Sequence, residues 1–416
     1  MDFGNARRGL IFACAALAAC ATTSRSVAPG APAAGPLAQP AVVEIEMEPM
    51  KIQAAPVATG GVQIESFDAE ELFEHAGKAL AEGRHDDAIK GYLRLLDNFP
   101  TSQFARPAVY NKGLAQRDKK DWAAALDSFK ALVEKYPDHG DAKDALFQMG
   151  ACFAEMNNWP ASGEVFSRLL DRKDLNGDDR VEALARRGFA QFNLGDLDIA
   201  DHTFRSVLAF KKDIENVERL STDFFLAFSQ YHLGQITHTR FLAAPIRLPE
   251  TQMDRDLEEK AALLLKAQRA YIETIKYGHP GWASAAGFQV GSLYEELYDA
   301  FIAAPIPKEV RGEGRDIYVE ELRKKIRILL EKSMRWQREN LLMLERIGAK
   351  SDWAEKSKLA YSKIFKLLNP SAALDPTFAP SQAAPPSPAP AQPAAPDHAP
   401  ADQRPGADGT TKRQIL

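Results

Sequence analysis

Apolar side chains recur at helical spacing from residue 67 to 212, and the pattern as a whole then repeats. Three segments superimpose directly: "GRHDDAIKGYLRLLDNFP", "KKDWAAALDSFKALVEKYP" and "NNWPASGEVFSRLLDRKD". An aromatic residue falls at Tyr92, Phe129, Phe166 and Phe204, at intervals of 37, 37 and 38. Four positions before each stands a small residue: Ala88, Ala125, Ser162 and Ala200. Twelve positions before that stands another: Ala76, Gly113, Gly150 and Gly188. Self-similarity at a fixed period is the mark of a repeat architecture. Each unit reads as two antiparallel helices, A then B. The small residues are expected to face one another so that the axes approach closely, with the aromatic filling the space beside them. Pro100 and Pro137 stop helix B, because proline cannot continue the hydrogen-bond ladder. Asp, Asn and Gly in "EGRHDD", "DKKD", "MNNWP" and "NLGDLD" supply the A-to-B turns.

These columns resemble the tetratricopeptide repeat, TPR. That family places a small residue near position 8, Ala near 20, an aromatic near 24 and Pro near 32 of a unit of about 34 residues. Residues 69–102 and 106–137 match it well. The third unit departs, with Ser162 and no closing proline, while the fourth keeps Gly188, Ala200 and Phe204. The resemblance implies an all-α, right-handed helical solenoid. The longer period puts extra residues in the B-to-A connector, as in "NFPTSQFARPA". In this the chain is similar to periplasmic TPR lipoproteins and coordinators of envelope machines: outer-membrane assembly, division-site wall synthesis and gliding motility.

Beyond residue 212 a looser pattern continues to 368. "DFFLAFSQYHLGQ" and "SAAGFQVGSLYEELYDA" read as A helices, each running into a near-copy of one loop, "FLAAPIRLP" from Phe241 and "FIAAPIPKE" from Phe301. Helices over 258–277 and 317–347 follow these loops, and a last one spans 353–368. The duplicated "AAPI" suggests two loops docked in equivalent grooves. They either pack on their own solenoid or meet a partner.

The ends are different in kind. Met1 to Arg8 is charged, "GLIFACAA" is apolar, and "LAAC" ends at Cys20. This order describes a secretory signal over residues 1–19. "LAAC" resembles the lipobox of bacterial lipoproteins, which implies that Cys20 is acylated and becomes the new N-terminus. A plain signal cleaved near "ACA" is the alternative. Residue 21 is Ala rather than Asp, so the family's inner-membrane retention signal is absent, and the resemblance implies the periplasmic face of the outer membrane. Residues 20–66 are rich in Ala, Pro, Val and Gly and are expected to form a flexible tether; residues 369–416 are expected to form a Pro/Ala-rich disordered tail. Neither holds enough large apolar side chains to offset chain entropy.

Net charge is -5, so bulk basicity does not point to nucleic acid. Residues 308–366 carry 16 basic and 10 acidic residues. This is either the solvated face of long helices or a face for an acidic partner or anionic wall polymer such as peptidoglycan. With Cys20 acylated, Cys152 has no disulfide partner and reads as core packing. No G-x-S-x-G, P-loop or H-E-x-x-H motif occurs. The eight histidines are scattered, and Glu295 and Glu296 should point to different faces of one helix. "DRKDLNGDD" at 171–179 resembles a calcium loop only faintly. Aligned on Gly177, it puts Arg172 at the first ligand position and Ala183 at the last, so it reads as a turn. No catalytic residue, cofactor or metal ligand is expected, and the function expected is binding.

In TPR proteins one face of each A helix lines the concave wall. Here the resemblance places Phe73, Leu80, Tyr110, Leu114, Phe147, Phe189 and Phe192 there, with Arg117 and Glu182 among the few charges. A TPR subclass clamps carboxylates with Lys, Asn and Arg. Only Asn111 fits that pattern, while Phe73 and Gly77 fill two of its positions. The expected ligand is an apolar or amphipathic segment of another envelope protein, unless the superhelix itself covers these side chains.

Overall fold

The computed structural model describes residues 49–56, 62–307, 310–348 and 351–380. Cys20 with its signal, the first part of the expected tether and the chain beyond residue 380 lie outside the described residues. Thirteen helices are found among the described residues, each packed on the next in chain order. Four pairs form the repeat: α1 Ala69–Ala81 with α2 His85–Asn98, α3 Ala105–Asp118 with α4 Trp122–Lys135, α5 Gly140–Glu155 with α6 Trp159–Leu170, and α7 Gly177–Asn193 with α8 Leu197–Ile214. The larger pairs are α9 Phe224–Ala243 with α10 Glu250–Lys276 and α11 Pro280–Ile302 with α12 Gly314–Ile347, and α13 Asp352–Leu368 closes the run. The fold is an all-α, TPR-type solenoid.

Local chemistry sets the boundaries. Asp68 caps α1 by accepting from the Glu71 amide at 2.8 Å. Asn176 and Asp179 form a reciprocal capping box at the start of α7, so the stretch with a faint calcium-loop likeness is a helix cap. Each A-to-B turn in the four pairs holds one left-handed residue: Gly83, Lys120, Asn157 and Gly195, with φ of 73°, 63°, 56° and 84°. The next amide closes back on the A helix each time, as Asp121 N–H does on the Gln116 carbonyl at 2.9 Å.

The column of aromatics sits closer to helix A than the sequence suggests. A Cβ placed on Gly113, Gly150 or Gly188 would come within 3.0 Å of the rings of Phe129, Phe166 and Phe204 respectively. The ring therefore lies directly on the glycine rather than beside it. In the first pair the small positions are exchanged, and Gly91 of α2 meets Ala76 of α1. Ala88, Ala125, Ser162 and Ala200 are buried beneath, and Ser162 Oγ donates to the Gly150 carbonyl at 2.9 Å. The device continues into the fifth pair, where a Cβ on Gly234 would lie 2.6 Å from the Tyr271 ring. The sixth pair replaces it with amides. Asn340 Nδ2 donates to the Ser284 carbonyl at 3.0 Å and to Ser357 Oγ at 2.9 Å, and Gln337 Nε2 donates to the Phe288 carbonyl.

Both expected chain ends carry more structure than composition indicated. Strands β1 Lys51–Pro56 and β2 Val62–Phe67 pair as an antiparallel hairpin inside the expected tether. One face lies on α2: Phe67 meets Phe99 edge-on at 6.1 Å, the Arg94 guanidinium sits 4.0 Å over the Phe67 ring, and Glu65 pairs with Arg94. The other face leaves Ile52 and Ile64 exposed. At the far end, residues 376–378 form a 3-10 turn that buries Phe378 to 7% exposure against Tyr361, 5.1 Å away. The expected tail thus begins with a docked segment, because a single ring can hold a turn in place without any periodic pattern.

Candidate functional site

The concave side of the A helices is more closed than its composition implied. Tyr110 is 5% exposed, Phe147 is 2% exposed, and Leu114 is buried beside them. Tyr110 packs on Phe129 at 5.7 Å and Phe147 on Phe166 at 6.3 Å. Burial pushes the Tyr110 hydroxyl well above the usual phenol range. These three residues are core, and the expectation that they line an open groove is corrected. The reason is the glycine column: with axes so close, each A helix sinks its aromatic onto its own unit's ring. Phe73 is half-buried, on Tyr92 and Phe104 at 5.9 and 5.4 Å.

Phe189 and Phe192 are different. Both are half-buried, and they form a continuous ridge with a residue that sequence reasoning passed over. Trp159, first residue of α6, meets Phe189 edge-on at 5.5 Å, and Phe189 stacks toward Phe192 at 6.4 Å. Met156 and Leu194, 45% and 46% exposed, occupy the neighbouring A-to-B turns. The signal for Trp159 was present in "KKDW" and "NNWP", since Trp122 and Trp159 are also 37 apart. Beneath the ridge His232 lies 5.1 Å from Phe189 and 5.6 Å from Phe192, enclosed also by Phe204, Phe228 and Trp282. Its Nδ1 carries the proton that the Phe228 carbonyl accepts at 2.8 Å. Burial holds the imidazole neutral, with its pKa lowered to about 4.

Arg117 and Glu182, the charges expected on the concave face, have partners. Arg117 donates to Gln148 at 2.7 Å and pairs with Asp118, and Arg186 pairs with Glu182 at 2.6 Å. Successive units are joined by Arg106 with Asp141 and Lys143 with Asp179, each at 2.7 Å. The last two pairs hold one A helix to the next, and the side chains they engage are committed to that contact.

His238, Glu295 and Cys152 are each engaged by neighbours or enclosed. His238 bridges Tyr271 Oη, 3.0 Å from its Nδ1, and Glu296 at its Nε2, but Tyr271 is fully enclosed. A substrate has no access to it. Glu295 turns the other way and pairs with Lys363 of α13. Burial raises the Cys152 thiol to about 12, so it is not a reactive thiolate. Among the described residues no group of His, Cys, Asp and Glu is arranged to hold a metal ion, and no helix is long and apolar enough to cross a membrane.

The two "AAPI" loops are not equivalent. Lys260 donates to the Phe241 and Ala244 carbonyls at 2.7 and 2.8 Å, and Arg247 pairs with Asp256 at 2.8 Å, so α10 fastens the first loop. Sixty residues on, Asp316 and Glu320 stand at the places of Asp256 and Lys260, and both are exposed. The first loop packs on its own solenoid, and the second lacks that anchor.

Residues 73–140 and 110–179 match the tetratricopeptide repeat family model, so TPR repeats occupy that part of the chain. No match to a curated protein was found. Among solved structures, the chain is similar to the C-terminal part of a TPR repeat-containing protein from Cytophaga hutchinsonii, at 12% identity, covering 72% of this chain and 96% of that one with a TM-score of 0.39. It is also similar to a tetratricopeptide repeat protein from Parabacteroides merdae, at 14% identity, 71% and 98% coverage and a TM-score of 0.35. A third is YrrB, described as a TPR protein with an unusual peptide-binding site, at 17% identity, 49% and 86% coverage and a TM-score of 0.33.

Proposed function

We propose that this protein is a non-enzymatic adaptor that holds another protein through the Trp159–Phe189–Phe192 ridge. The observation that carries the reading is this continuous run of three half-buried rings on a solenoid whose Tyr110 and Phe147 are buried. Large rings that keep one face open at a rigid surface are typical anchors for a partner side chain or an extended segment. The signal order before Cys20 supports anchoring by lipid in the outer membrane, with the solenoid in the periplasm as part of an envelope-spanning complex. The long B-to-A connectors favour machinery of the gliding-motility type.

Two measurements test this. Cross-linking in intact envelopes followed by pull-down of the full chain should recover a stoichiometric partner, and the Phe192→Ser protein should lose it. Many substoichiometric clients would instead identify a peptide-binding chaperone. For the anchor, Cys20→Ala should move the protein from the membrane fraction to the soluble fraction and remove lipid mass from the mature N-terminus. A variant that sediments as wild type does, with no lipid mass on either protein, rules the anchor out.

A further inference from the structure

The ridge has chemistry beyond apolarity. The Trp159 indole N–H makes no hydrogen bond among the described residues, and it stands at the ridge beside Phe189 with exposed Met156 close by in the same turn. A row of rings with an available indole donor is the arrangement that receives a polyproline II segment. Such a segment lays proline rings against the aromatics and offers outward-facing carbonyls to the donor.

The same chain carries a segment of that kind. Beyond Pro380 it runs for 36 more residues, and 385–396 read "PPSPAPAQPAAP". Pro390, Pro393 and Pro396 recur every third position. A polyproline II helix has three residues per turn at about 3.1 Å each, so these prolines share one edge at intervals of roughly 9 Å. The point of departure is fixed, because Phe378 is seated on Tyr361 only two residues before Pro380. Nine residues then lead to Pro390, a reach of about 28 Å in the extended form. The ridge belongs to the third and fourth pairs and Tyr361 to α13, three to four units on, roughly 25–40 Å at 8–10 Å per unit, a span that the extended stretch from Pro390 to Pro396 reaches. A segment tethered within reach acts at an effective concentration on the order of millimolar, so weak docking is enough to fill the site.

We infer that residues 385–396 of this chain dock on the Trp159–Phe189–Phe192 ridge as a polyproline II segment. The docking stands on its own chemistry. That it also withholds the ridge from another protein rests on the proposed adaptor function.

The test uses the full chain with a photo-reactive benzoylphenylalanine at Gln392, irradiated at low concentration and mapped by mass spectrometry. The expected result is a cross-link within one monomer to peptides holding Met156–Trp159 or Phe189–Leu194. The yield should fall at least fivefold in Trp159→Ser. It should fall likewise when Pro390, Pro393 and Pro396 are all changed to Gly, a variant that leaves every described helix untouched. Cross-links spread over the surface, confined to dimers, or unaltered by the triple proline change each overturn the docking. Loss of partner recovery in Phe192→Ser reads out the adaptor function separately, so either idea can fail alone.

Discussion

The ring of Phe166 rests on Gly150 so closely that residue 150 has no room for a side chain. Ser162, four residues before that ring, reaches the carbonyl of the same glycine. Gly150→Leu should therefore cost about 1–3 kcal/mol or more through overpacking and lower the melting temperature by several degrees. Gly234→Ala, against Tyr271, should behave alike, although it lies in an enlarged pair. Gly140→Ala, where a Cβ meets nothing, is the control. Equal thermal melts for all three would discredit the ring-on-glycine contact.

The buried aromatics give a contrasting pair of outcomes. Tyr110→Ala and Phe147→Ala should each lose about 3–5 kcal/mol, as large-to-small core changes do. Phe192→Ser should cost far less stability and act instead on partner recovery. Aromatic anchors commonly contribute about 2 kcal/mol, roughly thirtyfold in affinity. Chemical denaturation and pull-down of the same three proteins separate core from surface. A Phe147 variant as stable as wild type would return that residue to the surface.

His232 makes stability depend on acid. The folded protein holds it neutral down to about pH 4, whereas an unfolded histidine takes a proton near its ordinary value. Stability from this group is complete above about pH 6.5, declines below it, and is lost as pH falls through about 4. The full effect is on the order of 3 kcal/mol. His232→Phe should flatten that part of the profile in denaturant titrations from pH 7 to pH 4. An unchanged slope would show that other groups set it.

The A-to-B turns differ in cost at one repeated position. Lys120 and Asn157 adopt the left-handed conformation that glycine supplies at Gly83 and Gly195. Lys120→Gly should leave stability unchanged or raise it by several tenths of a kcal/mol, while Gly195→Ala should lower it by about 1 kcal/mol. Thermal melts of the two variants check the ordering; a reversed order would show that the left-handed backbone at Lys120 does not set the cost of its turn.

The sequence made the repeat legible because each column answers a local demand: glycine where a ring lands, proline where a helix ends, aspartate or asparagine at a turn. It extended to α9–α13 because an apolar stripe and a loop copied at an interval of sixty survive the change of period. What it concealed depends on distances between elements. Whether Tyr110 opens to solvent is set by how near α3 comes to α4, which the glycine column controls but does not announce. Phe378 docks through one ring, and the hairpin through Phe67 and Arg94, too few residues for any periodicity. Trp159 stood on the right period but read as part of a turn.

In the second to fifth pairs one helix meets another chiefly by an aromatic ring on a small residue, with polar contacts such as those of Ser162 and Lys260 beside it. Asn340 and Gln337 of α12 are different, since their amides must reach the carbonyls of Ser284 and Phe288 on α11. A polar side chain that is satisfied in only one arrangement penalises every other pairing. Helix α12 thus carries an address. During folding, or when two chains meet while partly unfolded, these amides favour α12 on α11 over α12 on any other helix. The solenoid gains a fixed end from which the order of its units is counted.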